Sequence, residues 1–185
     1  VAVGVTSTTL TGTAGALVTA YAAQGSTISG LGNEAVTVNN SGTASVAQVN
    51  TLASATSGTL TATVTEGDMS TLAGISESGN ALTVTVTDTS VAADALNTLD
   101  GKTTVAVAVN STTVTGAVAD VKIAYAAQGS TISGLGNEAV TLSDSSIAAT
   151  DITSVNTSTS GTVTVQATTV TGAAGDLVTA YAAQG

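Results

Sequence analysis

Short Val-rich runs recur along the whole chain, and in several of them apolar residues alternate with Thr. They are VAVGV (1–5), AVTV (35–38), LTATV (60–64), LTVTV (82–86), VAVAV (105–109), AVTL (139–142) and VTV (163–165). A period of two residues is typical of β-strands with one buried face. Most runs begin about 22 to 25 residues after the previous one, a regular step that indicates about seven repeated units.

A second pattern follows the strand runs, with apolar residues spaced three or four positions apart. Val118, Val121 and Tyr125 fall on one face of a helix, which Thr115 is suited to cap and Gly129 to end. The equivalent sets are Ala14, Leu17 and Tyr21; Ala174, Leu177 and Tyr181; Val46, Val49 and Leu52; and Val91, Ala95 and Leu99. The pattern predicts a unit of strand, turn, short helix and turn, in which consecutive strands run parallel through right-handed crossovers.

The string AYAAQGSTISGLGNEAVT occupies residues 20–37 and returns unchanged at 124–141, and its first six letters recur at 180–185. It falls within the two steps that are about ten residues longer than the others. We therefore interpret STISGLGNE as a loop insertion in one type of coil. Because the chain begins and ends within the pattern, we expect it to be a fragment of a longer protein.

A single strand–helix unit cannot bury its apolar face alone, but neighbours stacked about 4.8 Å apart can. The sequence therefore predicts a β-rich solenoid: one repeat array over residues 1–185, with about seven coils of 22–35 residues. A parallel sheet would lie on one side and short helices or helical turns on the other, as in leucine-rich-repeat-like β/α solenoids. The alternative is a pure parallel β-helix, in which the helical segments, above all SVAQVNT, flatten into strands. The expected core is Leu17, Val36, Val84, Leu96, Val107, Val121, Tyr125, Val140 and Leu177.

Composition supports a thin, regular core. Apolar residues make up 43% of the chain and charged residues 8%, and three tyrosines are the only aromatic residues. This balance is not that of a disordered chain, and it excludes a core built around large rings. Small β-branched and Ala side chains suit narrow, repeated layers.

The charge and the missing residue types exclude several functions. Twelve acidic residues face only Lys102 and Lys122, for a net charge of −10, which argues against nucleic acid and anionic membrane surfaces as partners. No apolar run is long enough for membrane insertion. Without His or Cys, neither a nucleophilic triad nor a soft-metal site can form. We expect no enzymatic activity, no catalytic residue and no cofactor-binding residue.

Weak Ca²⁺ binding is the one cofactor interaction left open. Asp88, Asp144, Asp151 and either Glu34 or Glu138 lie near turns, and carboxylate oxygens suit this ion. The chain contains neither EF-hand spacing nor the RTX nonapeptide.

The segment GLGNEA (Gly30, Gly32 and Ala35) fits the loose glycine pattern of a dinucleotide-binding turn. That chemistry needs a strand before the glycines and a helix after them, whereas here the order is reversed. A glycine-rich connection is the better interpretation.

Strand alternation places a set of threonines on the face opposite the core. The candidate surface-binding residues are Thr61, Thr63, Thr65, Thr83, Thr85, Thr87, Thr162 and Thr164, with Thr37 and Thr141 in equivalent positions. Such T-x-T arrays on a parallel solenoid resemble the ice-binding face of some antifreeze proteins. The simpler interpretation is that Thr is a good solvent-facing strand residue.

Asn50, Asn97 and Asn156 each precede Thr where a helical segment closes. Stacked Asn side chains can bond successive backbones, so we predict a structural ladder. A preference of Asn for helix ends is the alternative.

The segments SGLGNEAVT, TDTSVAADALNTLDGKTT and VTGAVADV resemble the Thr/Ala/Val/Gly-rich tandem repeats of giant secreted surface proteins of marine bacteria and cyanobacteria, which are adhesin-like, RTX- or S-layer-associated. The resemblance covers essentially the whole chain and concerns repeat style. It implies a secreted, extracellular or cell-surface location, and it transfers no catalytic or binding residue.

We therefore expect a structural repeat segment of a surface, stalk or filament protein. It would act by length, stiffness and end-to-end or lateral association, and its main partner would be itself, through the solenoid ends. The alternative is an adhesive, glycan-binding or ice-binding module that uses the flat Thr-rich face.

Overall fold

A computed structural model of the chain describes residues 1–39 and 42–182. The helices of this part are α1 (Ala14–Ala22), α2 (Val46–Ala55), α3 (Met69–Leu72), α4 (Ala93–Asp100), α5 (Val118–Ala127), α6 (Ala149–Ser158) and α7 (Ala174–Ala182). The strands up to α4 are β1 (Val3–Gly4), β2 (Thr9–Gly12), β3 (Ile28–Ser29), β4 (Ala35–Val38), β5 (Thr43–Ala44), β6 (Leu60–Val64), β7 (Ala81–Thr83), β8 (Thr85–Val86) and β9 (Ser90–Ala92). The later strands are β10 (Val107–Val109), β11 (Thr113–Gly116), β12 (Ile132–Ser133), β13 (Ala139–Leu142), β14 (Ser146–Ala148), β15 (Val163–Val165) and β16 (Thr169–Thr171).

Parallel sheets alternate with these helices, as the sequence predicts. In paired strands, the separation of partner residues along the chain ranges from 20 positions, as for Thr61 and Ala81, to 26 positions, as for Thr113 and Ala139. Each strand therefore pairs with the chain about one repeat later. The alternative of a pure β-helix is wrong for the described residues. Even the segment SVAQVNT, which that alternative expects to flatten into a strand, begins the ten-residue helix α2.

The chain divides into two compact units. Unit 1 comprises Val1–Thr85 with Gly101–Val107, and unit 2 comprises Val86–Asp100 with the described residues from Ala108 onward. Unit 1 holds the sheet β2-β4-β6-β5, in which β7 also pairs with β6, and the small sheet β1-β3. Unit 2 holds the sheets β9-β11-β13-β15 and β14-β16, and β10 pairs with β12. Helix α1 packs on α2 in unit 1, and α4, α5, α6 and α7 pack successively in unit 2.

Several short sheets thus replace the single sheet that the sequence predicts, and the inserted segment explains part of the difference. It is not only a loop, because β3 belongs to it and pairs with β1, Val3 opposite Ile28. The AVTV run of β4 consequently stacks on β2 and not on the first Val-rich run. In unit 2, β13 stacks on β11 in the same way.

The core follows the alternation along each strand. In β6, Leu60, Ala62 and Val64 are buried, whereas Thr61 and Thr63 are exposed. The predicted core residues Leu17, Val36, Val84, Leu96, Val107, Val121, Tyr125 and Val140 are all buried. The prediction is wrong for Leu177, which is half-buried because α7 has only α6 as its helical neighbour in the described part of the chain.

Of the predicted ends of α5, the one at Gly129 is confirmed and the cap at Thr115 is wrong. Helix α2 begins with a capping box between Ser45 and Gln48, and Gly129 follows α5 with a φ of 82°, as predicted for a helix end. Thr115 does not cap α5. It lies in β11, and the N-cap position is Ala117, which has no side-chain cap.

The predicted inward face of α4 is also shifted. Val91 lies in β9, and the buried residues of the helix are Ala93, Leu96 and Leu99. Of the helices in the described part of the chain, none combines the length and the apolar character that a membrane span requires.

Candidate functional site

The exact repeat of the sequence builds the same buried contact twice. In unit 1, the Tyr21 hydroxyl of α1 donates to Glu34 Oε2 over 2.9 Å, and the Gly32 N–H donates to the same oxygen over 2.8 Å. In unit 2, the Tyr125 hydroxyl donates to Glu138 Oε2 over 3.0 Å. Glu34 is 0% exposed and Glu138 is 1% exposed. We call each pair, Tyr21–Glu34 and Tyr125–Glu138, a Tyr–Glu clasp.

Burial and hydrogen bonding set the protonation of the clasps. Burial acts to raise the pKa of Glu34, but hydrogen bonds from the Gly32 backbone and from the Tyr21 hydroxyl outweigh it, and the pKa lies below its usual value. Burial and the hydrogen bond to Glu34 raise the pKa of Tyr21 to about 12. Burial and the charge of Glu138 likewise raise the pKa of Tyr125. In the Tyr21–Glu34 clasp, a neutral phenol that donates to a carboxylate is therefore the stable state.

The following repeat closes each clasp. In unit 1, Thr56 donates its hydroxyl to the Glu34 carbonyl oxygen over 2.7 Å, and a Cβ at Gly58 would collide with that oxygen. In unit 2, Thr159 donates to the Glu138 carbonyl oxygen over 2.7 Å, and Gly161 is restricted in the same way. The clasp therefore lies between two successive repeats and contacts both.

Each Tyr–Glu clasp holds a carboxylate in the interior of its unit. Its carboxylate is shielded from solvent and carries hydrogen bonds on Oε2, while Oε1 of Glu34 and of Glu138 is buried and has no hydrogen-bond partner among the described residues. The sequence interpretation missed this contact, although a signal was present. Tyr and Glu recur thirteen residues apart in both exact copies.

The structure separates the predicted threonine face into parts. Thr61 and Thr63 lie on β6 and Thr83 on β7, all exposed. Thr85 is half-buried on β8. This strand belongs to a different sheet, because the strand run is interrupted at Val84. Thr65, Thr87 and Thr162 are exposed beyond strand ends, and Thr164 lies exposed on β15 in unit 2.

Within unit 1, strand register aligns threonines of different repeats into two columns. The first column is Thr11, Thr37 and Thr61, and the second is Thr43, Thr63 and Thr83. All six side chains are exposed. We call this set the threonine columns. In unit 2, the corresponding column is Thr115, Thr141 and Thr164, of which the first two are half-buried.

Two of the predicted ladder asparagines bond the backbone of the next repeat. Asn50 donates to the Gly74 carbonyl oxygen over 2.7 Å and accepts from the Ser76 N–H over 3.0 Å. Asn97 donates to the Asp120 carbonyl oxygen over 3.0 Å. Asn156 lies half-buried on α6. The contacts run from side chain to backbone, within α2 and α4 rather than at helix ends.

The acidic residues considered for Ca²⁺ have other partners. Asp144 Oδ2 accepts from the Val118 N–H over 2.8 Å, Asp151 pairs with Lys122 over 2.8 Å, and the two glutamates belong to the clasps. In residues 1–39 and 42–182, no group of three or more acidic side chains is placed to hold a metal ion.

No family model, no curated protein and no solved structure matches the chain.

Proposed function

We propose that this chain is a solenoidal repeat segment of an extracellular surface, stalk or filament protein, with no enzymatic activity. It acts by supplying length and stiffness. The observation that carries the proposal is the parallel pairing of strands at a step of 20 to 26 residues in both units. A chain that pairs only with its neighbours one repeat away can be extended by adding repeats.

Side-chain bonds between successive repeats support stiffness. In unit 1, Val46 N–H donates to Glu66 over 3.1 Å, and Leu60 N–H donates to the Asn80 side chain over 2.8 Å. In unit 2, Thr131 donates to Asp100 over 2.8 Å. Bonds of this kind fix each repeat to the next and oppose bending between them.

The repeat architecture is tested by lengthening the chain. Residues 21–124 form one full period, because residue 125 repeats residue 21, so they can be duplicated after Ala124 without a break in the pattern. The duplicated segment adds four helical repeats. At roughly 4.8 Å each, the maximum dimension in small-angle X-ray scattering should increase by about 19 Å.

A control duplicates residues 33–124 and thus omits the segment 21–32 at the junction. We expect it to unfold at lower urea concentration than the in-phase chain. A much larger increase in length, typical of a second domain on a flexible linker, would contradict a continuous solenoid, and so would no increase at all.

The threonine columns favour a second function, adhesion to an ordered, uncharged surface such as ice or a crystalline polysaccharide. Strands about 4.8 Å apart present three hydroxyl and methyl groups in each column, and all six side chains are exposed. Regularity of this kind suits a ligand that is itself regular.

The test of the second function is a pair of lysine substitutions in the columns, Thr37→Lys and Thr63→Lys. If the columns bind, the double variant should lose thermal hysteresis or retention on microcrystalline polysaccharide. Thr98→Lys, an exposed position on α4, is the control and should retain binding. Wild-type protein that shows neither activity would contradict this function.

A further inference from the structure

Helix α7 repeats the residues of α1, but no segment of the described residues covers it in the way that residues 26–37 cover α1. AGALVTAYA in α1 and AGDLVTAYA in α7 differ at one position. Tyr21 and its unit 2 equivalent Tyr125 are 8% and 9% exposed, whereas Tyr181 is 67% exposed. Beside Tyr181 lies an apolar pocket of about 240 Å³, lined by Ile152, Val165, Ala167, Val170, Ala180 and Tyr181.

The two internal copies show what covers this surface. In unit 2, the segment 130–141 lies over α5 and β11. Its Glu138 accepts from Tyr125, its Ile132 and Leu135 are buried, and its strand places Val140 opposite Val114. In unit 1, the identical segment 26–37 places Glu34 on Tyr21 and Val36 opposite Leu10. The same twelve letters thus cover the same kind of helix in both units.

The strand next to α7 has an open edge for such a segment. Strand β11 is paired on both sides, with β9 and with β13. Its equivalent β16 carries the same T-V-T letters and pairs, within the described residues, with β14. An exposed strand edge accepts a further strand through main-chain hydrogen bonds.

We propose that the surface formed by β16, the apolar pocket and Tyr181 is a docking site for an extended segment with the chemistry of STISGLGNEAVT. The Glu of the segment accepts from the Tyr181 hydroxyl. Its Leu and Ile enter the apolar surface, and its Ala-Val-Thr adds a parallel strand beside Thr169–Thr171. The inference rests on the proposed repeat function, since it names the chemistry of the segment that a repeat surface of this kind would bind.

The test uses a fluorescein-labelled peptide of sequence STISGLGNEAVT and the whole chain, at a protein concentration where sedimentation shows a monomer. Fluorescence anisotropy should show saturable binding. A peptide with Ala in place of Glu should bind about tenfold more weakly, because it loses a charge-assisted hydrogen bond. Absence of saturable binding would overturn the proposal.

Two variants of the protein locate the site. Tyr181→Phe removes the hydroxyl of an exposed side chain and should weaken binding of the native peptide about tenfold, with little effect on the Glu-to-Ala peptide. Thr179→Ala is the control. Thr179 is equivalent to Thr19 of α1 and Ile123 of α5, and both of these side chains stay exposed although their helices are covered. Equal affinity of wild type and Tyr181→Phe for the native peptide would place the peptide elsewhere and overturn the proposal.

The scattering experiment on the lengthened chain separates this proposal from the proposed function. If the chain lengthens by about four repeats but the peptide does not bind, the docking site fails and the solenoid stands. If the peptide binds but the chain does not lengthen, the docking site stands as a local strand-addition site and the solenoid fails.

Discussion

At the residue scale, the Tyr–Glu clasp is a buried hydrogen-bonded contact that forms once in each unit. A buried carboxylate is costly unless it is hydrogen-bonded, and here a tyrosine hydroxyl and a glycine N–H bond Glu34 Oε2. A hydrogen bond to a charged group contributes about 1.5 to 3 kcal/mol. The clasp therefore fixes the glycine-rich segment on its helix in one arrangement.

Tyr21→Phe should lower the free energy of unfolding by about 1 to 3 kcal/mol, because the Glu34 carboxylate loses its phenolic donor. Tyr181→Phe is the control, since the exposed Tyr181 has no clasp in the described residues, and it should change the stability little. Urea unfolding at pH 7 measures both. Equal loss in the two variants would show that the clasp contributes nothing specific.

Tyr21→Phe should also change how the free energy of unfolding declines at alkaline pH. The pKa of Tyr21 is about 12 in the folded chain and about 10 in an unfolded one. The unfolded chain therefore releases this proton first, and the stability contributed by Tyr21 is present below pH 10 and is lost as the pH rises toward 12. Tyr21→Phe should make the decline between pH 10 and 12 shallower by about 1.4 kcal/mol per pH unit.

At the scale of single elements, a helix receives its N-terminal cap from a neighbouring repeat. The N-cap of α5, Ala117, has no side chain that can accept a hydrogen bond. Asp144, 26 residues after Val118, accepts from the Val118 N–H instead. Glu66 accepts in the same way from the Val46 N–H of α2. In α5, helix start and repeat stacking are thus coupled, since this cap is present only when the next repeat is in place.

Asp144→Ala should destabilise unit 2 by about 1 kcal/mol, the usual cost of losing a helix cap. Asp144→Asn keeps an acceptor oxygen and should lose less. Glu77→Ala removes the same charge from an exposed site outside the helices and serves as the control. Chemical denaturation, followed by circular dichroism, ranks the stability of the three variants. If Glu77→Ala loses as much stability as Asp144→Ala, the effect comes from net charge alone.

At the scale of the whole molecule, net charge opposes association. The chain carries −10 at pH 7, so copies repel one another at low ionic strength, and added salt screens the repulsion. Apolar side chains are exposed near both chain ends, among them Val3 and Tyr181 at 67% each. We propose that copies associate through these ends.

Sedimentation across a sodium chloride series should show association that strengthens with salt. Tyr181→Lys should weaken it, because it places a charge on the apolar end. Ile123→Lys changes the net charge equally but lies on the side of α5, 57% exposed, and should leave end-to-end association intact. A chain that stays monomeric at high salt and high concentration, or that associates only through Ile123, would contradict this mode.

The sequence by itself determined the alternation of parallel strands and helices, most of the core and the repeat step. These features are encoded locally, because a two-residue period separates buried Val84 from exposed Thr83 and an i, i+3 pattern marks α2. Only the tertiary structure decided that Ile28–Ser29 forms a strand, that Glu34 meets Tyr21, that Asp144 caps α5 and that the threonines of unit 1 align. Each of these joins residues 13 to 26 positions apart, and a local pattern does not specify which of its neighbours a strand will face. That choice depends on the register of stacking, which burial and hydrogen bonding set for whole repeats together.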